Sequence, residues 1–372
     1  GVMKIFSEKA RHWLAAALFT SALAGAFWRA PSPPAAAFLP PPAAAPSTLP
    51  IVFSTELLPK AAESSHAASL AQLHDGRVVA AWLAGKPEDD DDLAIWFSTL
   101  SKGGWSRPQA IANNASTAGG TFAHVRKVGN PQLYVEGSWL HLWYASTSGG
   151  GDSLNHSVST DGGTSWFKPT RLQTLPFAQI SAPPVPLADG GLGLPIYHEF
   201  VSGHGEWLRL SATGQIIDKA RMPHSLPALQ PAVVTFDEQR AIALLRDAGP
   251  APGKVQVAST NNAGKNWKAE AALPVANPNT SVALLRLKSG RLLLAGNPQR
   301  GRETMQLWIS ADEGKTWQSS RTIETAPDGG AEFANPALLL DRDGRIHLAY
   351  TWRRQGIKHA AFSEAWLDGA AP

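Results

Sequence analysis

The chain has 372 residues, 33 Lys and Arg against 30 Asp and Glu, 44% hydrophobic and 17% charged residues, and no cysteine. That composition suits a globular protein with a large core, and the lack of cysteine excludes disulfides, thiol catalysis and Cys-ligated metal or cluster sites. A net charge of +3 with no Lys/Arg-rich block argues against a nucleic-acid partner, and 33 Gly and 29 Pro beside three Met argue for a β-rich domain. The N-terminus stands apart from that domain. Lys4, Lys9 and Arg11 precede an uncharged run, WLAAALFTSALAGAFW (13–28), which Arg29 closes. As a helix the run would span about 24 Å, short of the roughly 30 Å hydrocarbon core. Its length and basic flank fit an export signal trimmed near Ala22, Ala24 and Ala26, or a retained membrane anchor, rather than a core helix. Residues 1–29 are therefore expected to address an export machinery or a membrane, and the mature protein to be periplasmic or anchored outside the cytoplasm. A Pro/Ala-rich stretch, residues 30–50, follows as an extended, semi-rigid linker.

From residue 51 to 372 the pattern is repetitive. Ser159-Thr-Asp161-Gly-Gly163-Thr-Ser-Trp166 and Ser310-Ala-Asp312-Glu-Gly314-Lys-Thr-Trp317 both read S-x-D-x-G-x-x-W, and Thr260-Asn-Asn262-Ala-Gly264-Lys-Asn-Trp267 keeps the spacing. Ser98 with Trp105, Ser211 and Ser363 extend the series to six, roughly one every 50 residues. A second series of tight turns between apolar runs, at Gly76, Gly137, Gly190, Gln239, Gly290 and Gly344, precedes each box by about 20 residues. Two interleaved six-membered series of short strands predict a six-bladed β-propeller. In each unit strand A ends at the Gly turn, strand B follows it, strand C ends at the box and strand D lies beyond the box Trp. Asp or Asn in the box bonds its own turn while Gly takes positive φ, and the Trp fills the space between blades, so the boxes read as structural.

If the A–B and box turns share one face, the B–C loops and the starts of the A strands share the other. That second face collects the unusual residues. The A strands start with His66, Asn130-Pro131, Pro183-Pro184, Gln230-Pro231, Asn277-Pro-Asn279 and Asn335-Pro336, and the loops add Arg126, Glu199, Arg246, Asn297, Arg302 and Arg353. Arg246 and Arg302, on successive blades, read as a guanidinium pair suited to a carboxylate, or else as members of surface salt bridges. The run Glu88-Asp89-Asp90-Asp91-Asp92 crowds carboxylates, which raise one another's pKa as a proton donor requires, although a solvated charge run reads the same way. His66 reads as an acid/base group, as a carboxylate donor, or as a histidine with no role at the site.

The boxes on a six-fold period resemble those of the sialidase superfamily of six-bladed propellers. The strings SSHAASLAQLHDGRVVAAWLAG, RKVGNPQLY, LQPAVV, NPNTSVALLRLKSGRLLLAGN and YTWRRQGIKH resemble the bacterial predicted-neuraminidase (sialidase-like) subgroup. The resemblance implies an all-β fold, Arg246 and Arg302 as the second and third arginines of a carboxylate clamp, Asp92 as acid/base and Glu199 as the activating glutamate. Two positions depart from the pattern: Ser65-His66-Ala67-Ala68 stands where the first arginine belongs, and Glu332-Phe333 where the tyrosine nucleophile belongs. Tyr350, at the end of a B strand, is the tyrosine expected to reach the channel. The implied function is an exported, monomeric glycoside hydrolase acting on acidic glycans without metal or other cofactor. A non-catalytic acidic-glycan binder and a polysaccharide lyase acting on uronic-acid polymers are the alternatives.

Overall fold

A computed structural model describes residues 7–29, 35–172, 177–199, 202–299, 301–326 and 329–369. Two compact units result, residues 1–35 and 36–372. In the first, Glu8–Arg29 is one helix whose Trp13, Phe19 and Trp28 are exposed. No helix among the described residues is long and apolar enough to cross a membrane. Lys4 and linker residues 30–34 lie outside the described residues.

The second unit is a six-bladed all-β propeller of antiparallel sheets. From the axis outward, blade one is Ser64–Gln72, Val78–Gly85, Ala94–Ser101 and the edge pieces Gly104–Trp105 and Gln109–Asn113. Blade two is Lys127–Glu136, Trp139–Ser148, Gly151–Ser159 and Thr170–Arg171. Blade three is Ala178–Ile180 with Val185–Pro186, then Leu192–His198, His204–Leu210 and Ile216–Met222. Blade four is Ala228–Thr235, Ala241–Asp247, Gln256–Thr260 and Lys268–Glu270. Blade five is Ala283–Arg286, Leu292–Gly296, Thr304–Ser310 and Gln318–Thr325. Blade six takes Phe333–Leu340, Ile346–Trp352 and Gly356–Phe362 from the C-terminus, and its outer strand, Phe53–Leu57, from before blade one. That exchange closes the ring, and Phe53 stacks on Trp366 at 4.3 Å behind it.

The B strands are sandwiched between neighbouring blades, which is why VVAAWLAG (78–85) is apolar without alternation and buried throughout. The boxes sit where their spacing places them. In two of them the serine Oγ accepts from the glycine N–H (2.8 Å at Gly163, 2.9 Å at Gly314), while Asp161 and Asp312 accept from Ser165 N and Thr316 N at 2.8 Å. Each box tryptophan leans on the preceding blade: Trp105 on His359, Trp166 on Phe97, Trp267 on Trp207, and Trp317 in the cluster around Leu244. In the sixth slot Ser363 instead caps a short helix, Glu364–Asp368.

The linker departs from its reading as a spacer. From Ala36 it belongs to the propeller and straps the turn face, with Phe38 N donating to Glu238 O (2.9 Å) and Ala45 N to Lys288 O (2.9 Å). Proline and alanine have little side chain to signal burial, so only the lone Phe38 marks the strap.

Buried histidines make stability depend on pH, and His141 and His224 are pulled down by burial as well. Burial, aided by a neighbouring histidine, holds His156 down to about 4 and His359 to about 3, and burial with Arg354 holds His66 to about 4. Each is neutral when folded but protonated below about 6.5 when unfolded, so the unfolded chain binds more protons between those values. Stability is therefore full above pH 6.5 and declines as pH falls toward 4. Urea midpoints measured across that range should fall with pH, and His359→Gln should flatten the fall; a pH-independent wild type refutes this reading.

Candidate functional site

The up-and-down order of the strands leaves the B–C loops and A-strand starts on one face. There the innermost strands of blades one, two, four and six each break register, between His66 and Ser69, Val128 and Pro131, Leu229 and Ala232, and Ala334 and Ala337. The breaks place Ala67, Gln230 and Asn335 at φ of 59°, 54° and 52°, a left-handed conformation that side chains other than glycine rarely adopt. Together with Asn130, Ser181 and Ser281 they form a ring of one residue per blade around the channel. Circumferential bonds tie part of the ring together: Ser281 Oγ to Asn335 Oδ1 (3.2 Å), Asn335 Nδ2 to Thr351 Oγ1 (3.3 Å) and Ala67 N to Thr351 Oγ1 (3.1 Å). Below the ring the bore is lined mostly by apolar residues such as Val234, Val282 and Leu338, with Ser69, Gln132 and Arg286 among them.

Arg246 is the best-anchored cation at the mouth. Its Nε donates to Asn279 Oδ1 (2.7 Å) and its Nη1 to Gln230 Oε1 (3.0 Å), both neutral acceptors. Gln230 in turn meets the Tyr197 hydroxyl (3.4 Å), which donates to Gln179 (2.9 Å), whose amide donates to Asp152 (2.6 Å). Residues from blades two to five thus hold one guanidinium. Among the described residues no carboxylate lies within ion-pairing distance of it. Burial, and then Arg302 beside it, pull Arg246 below the usual guanidinium range, which Tyr197 and exposed Glu199 partly offset. Arg302 is paired instead, its Nη1 lying 2.5 Å from Glu332 Oε1, and Arg354 Nε lies 3.6 Å from Glu332 Oε2. His66, whose charge state responds to Arg354, Glu332 and Lys127, is neutral near pH 7, so it acts as an imidazole and not as a replacement cationic clamp.

Other candidate residues are placed differently. Asp92 is exposed, and its Oδ2 accepts from Lys86 N (2.7 Å), clasping the acidic loop shut. The neck is tight enough that a Cβ at Gly85 would come within 2.9 Å of Asp92 O. Half-buried Asp90 instead faces blade two, 3.7 Å from exposed Arg126 and 3.9 Å from Lys127. Tyr350 is 0% exposed, wedged between blades five and six, and donates to Glu324 (2.6 Å) on an outer strand, so it does not reach the channel. Asn277 and Asn297 are both 1% exposed and hold loops, Asn277 by the N–H groups of Asp247 and Thr280, Asn297 by the carbonyls of Thr304 and Phe333. Neither can meet a ligand. Arg353 is exposed at φ 54°, its guanidinium 5.1 Å from the Trp352 ring. Tyr197, Gln179, Asp152, Glu332 and Arg354 were not given a role by sequence, because no local spacing links them, and Asp90 stood there only as one member of the acidic run.

Residues 76–348 match the family model of the BNR repeat-like domain. The chain belongs to the BNR repeat-like domain family. Among curated proteins none matches. Solved structures similar to this BNR repeat-like protein include one of unknown function from Dyadobacter fermentans, 14% identical with a TM-score of 0.67, covering 83% of this chain and 97% of that one. The NanB sialidase of Streptococcus pneumoniae is 11% identical with a TM-score of 0.62, covering 83% and 70%. The alpha-L-arabinanase of Penicillium chrysogenum is 13% identical with a TM-score of 0.59, covering 86% and 99%. At these identities the likeness shows a shared propeller fold and leaves the substrate to the residues at the mouth.

Proposed function

We propose that the channel mouth binds the carboxylate of an acidic glycan and that the protein is an exported, sialidase-like glycoside hydrolase. The observation that carries this reading is Arg246, a half-buried cation fixed by two amide oxygens with no carboxylate at ion-pairing distance among the described residues. A charge so placed loses hydration without gaining an internal counter-ion, and a ligand carboxylate supplies one. Arg302 lies beside it and offsets the charge of Glu332. Hydrolysis needs one group to protonate the leaving oxygen and another to attack or to activate water. Half-buried Asp90 and Glu332 are the carboxylates available for those roles, with neutral His66 beside Glu332 as a base.

Non-catalytic binding is the second reading, favoured by the double ion pair that ties up Glu332. One screen separates the outcomes: the purified protein is incubated with sialosides, uronic-acid oligomers and neutral arabino-oligosaccharides, following reducing ends, near-ultraviolet absorbance and binding. New reducing ends without absorbance from an acidic substrate support the hydrolase. Absorbance assigns a lyase, and binding without turnover a lectin. Turnover of the neutral arabinan alone overturns the acidic-glycan reading. Export is checked by fractionating cells that express the whole chain, and intact protein in the cytoplasm contradicts it.

A further inference from the structure

Away from Arg246, the B–C connection of blade three gathers a second constellation. His198 ends one strand and His204 opens the next, and antiparallel register sets them opposite each other with rings 5.1 Å apart. Glu206 lies two residues beyond His204 and so on the same face of the sheet. Its Oε2 is 3.0 Å from His198 Nε2 and its Oε1 is 3.0 Å from His204 Nε2. All three ligand-capable groups lie within 4.8 Å of one another.

The hydrogen bond on the far side of His204 adds an independent constraint. His204 Nδ1 is 2.9 Å from the Ser202 carbonyl oxygen, which can only accept, so Nδ1 carries the hydrogen. In a neutral imidazole Nε2 is then a bare lone pair, and it points at a carboxylate oxygen. Two acceptors 3.0 Å apart repel unless something positive lies between them. A second ring proton would serve, and so would a metal ion. A backbone carbonyl fixing the remote nitrogen is also the way metal-binding histidines are commonly oriented.

We propose that His198 Nε2, His204 Nε2 and the Glu206 carboxylate form a binding site for a zinc-type divalent transition-metal ion. Two imidazoles and a carboxylate suit such an ion chemically, and three protein ligands leave a fourth position open. Metal–ligand distances of about 2.0–2.2 Å in a tetrahedron put neighbouring ligand atoms about 3.4 Å apart, so the present contacts need to open by only a few tenths of an ångström. Lys219 Nζ, 3.3 Å from Glu206 Oε2, is the cation already competing for that carboxylate. The ion would pin the loop that carries Glu199 on the same face as the channel mouth. The site does not depend on what the mouth binds.

The test uses Co²⁺ as a spectroscopic probe of the full-length protein, with Zn²⁺ as competitor. Wild type should take up one equivalent of Co²⁺ with visible ligand-field bands that Zn²⁺ abolishes. Glu206→Gln and His204→Ala should each weaken Co²⁺ binding at least tenfold, while exposed His74→Ala changes nothing. Lys219→Met should strengthen binding, because it removes the competing ammonium. Circular dichroism of each variant checks the fold, and the wild-type titration stands even where a variant fails to fold. No saturable single-equivalent uptake by wild type, or binding that Glu206→Gln leaves intact, overturns the proposal.

Discussion

Arg246→Ala should weaken binding of a carboxylate-bearing glycan by at least tenfold while leaving the fold intact. Tenfold is about 1.4 kcal/mol, below the roughly 2–5 kcal/mol that truncating one partner of a fully buried hydrogen-bonded charge pair costs, as suits a half-buried guanidinium. Folding should survive because the partners left behind, Asn279 and Gln230, are neutral, and Asn279 is exposed. Arg302→Ala should also weaken binding, by a different route. It leaves Glu332 with Arg354 at 3.6 Å as its remaining partner, so a negative charge beside the ligand is less well cancelled. Both effects act on one ligand group, so the double variant should lose less than the two single losses combined. Arg246→Lys should not restore affinity, because an ammonium cannot hold two amide oxygens and a carboxylate in one plane. A glycan with its carboxylate reduced should bind weakly to wild type and be indifferent to all these changes. Calorimetric titration with acidic and reduced ligands decides it: unchanged affinity in both single variants would remove the basis for an acidic-sugar site.

The fold was legible because its repeat is local. A box closes its own hydrogen bonds within eight residues, so Ser159, Asp161, Gly163 and Trp166 must appear at fixed spacing wherever that turn forms. The site is built across blades, and there spacing carries less. Arg246 was legible with its anchors Gln230 and Asn279, since all three stand at loop or strand-start positions of adjacent units. Its remoter support, Tyr197, Gln179 and Asp152, comes from two other blades and shares no sequence interval with it. Among five consecutive acids spacing offers no way to choose, and only the family resemblance points to Asp92. The choice rests on loop geometry, which uses Asp92 as a clasp and turns Asp90 toward Lys127. Tyr350 shows how one residue of parity decides a role. Along a strand successive side chains alternate sides, so Tyr350 points between the blades while its neighbour Thr351 reaches the ring. Arg246 lies opposite Leu229 just before the blade-four break, and Thr351 lies opposite Ala334 just before the blade-six break, so the two are structural equivalents. Tyr350 is on the wrong side of that alternation.

Phe38→Ala should destabilise the propeller by about 3–5 kcal/mol, as large-to-small changes of fully buried aromatics do. Phe38 is 0% exposed although its neighbours read as a spacer. Its ring meets Trp207 edge-on at 5.9 Å, and Trp207 in turn packs on Trp267, the box tryptophan of blade four. The place cannot collapse to fill the hole. Trp207 already lies so tight on Gly193 and Gly264 that Cβ atoms there would fall 1.8 Å and 2.5 Å from its ring. A tryptophan held between two backbones cannot follow a shrinking neighbour, so most of the cavity persists. The backbone bonds of the strap, Phe38 N to Glu238 O and Leu39 N to Pro186 O, bridge blades three and four and depend on the ring for their anchor. Because the strap crosses the turn face, the channel mouth on the other face should keep its ligand affinity in the folded variant. Urea denaturation of wild type and Phe38→Ala, with glycan titration of both, tests the two halves together. A stability loss below about 1 kcal/mol would mean the strap is dispensable and residues 36–50 are a spacer after all.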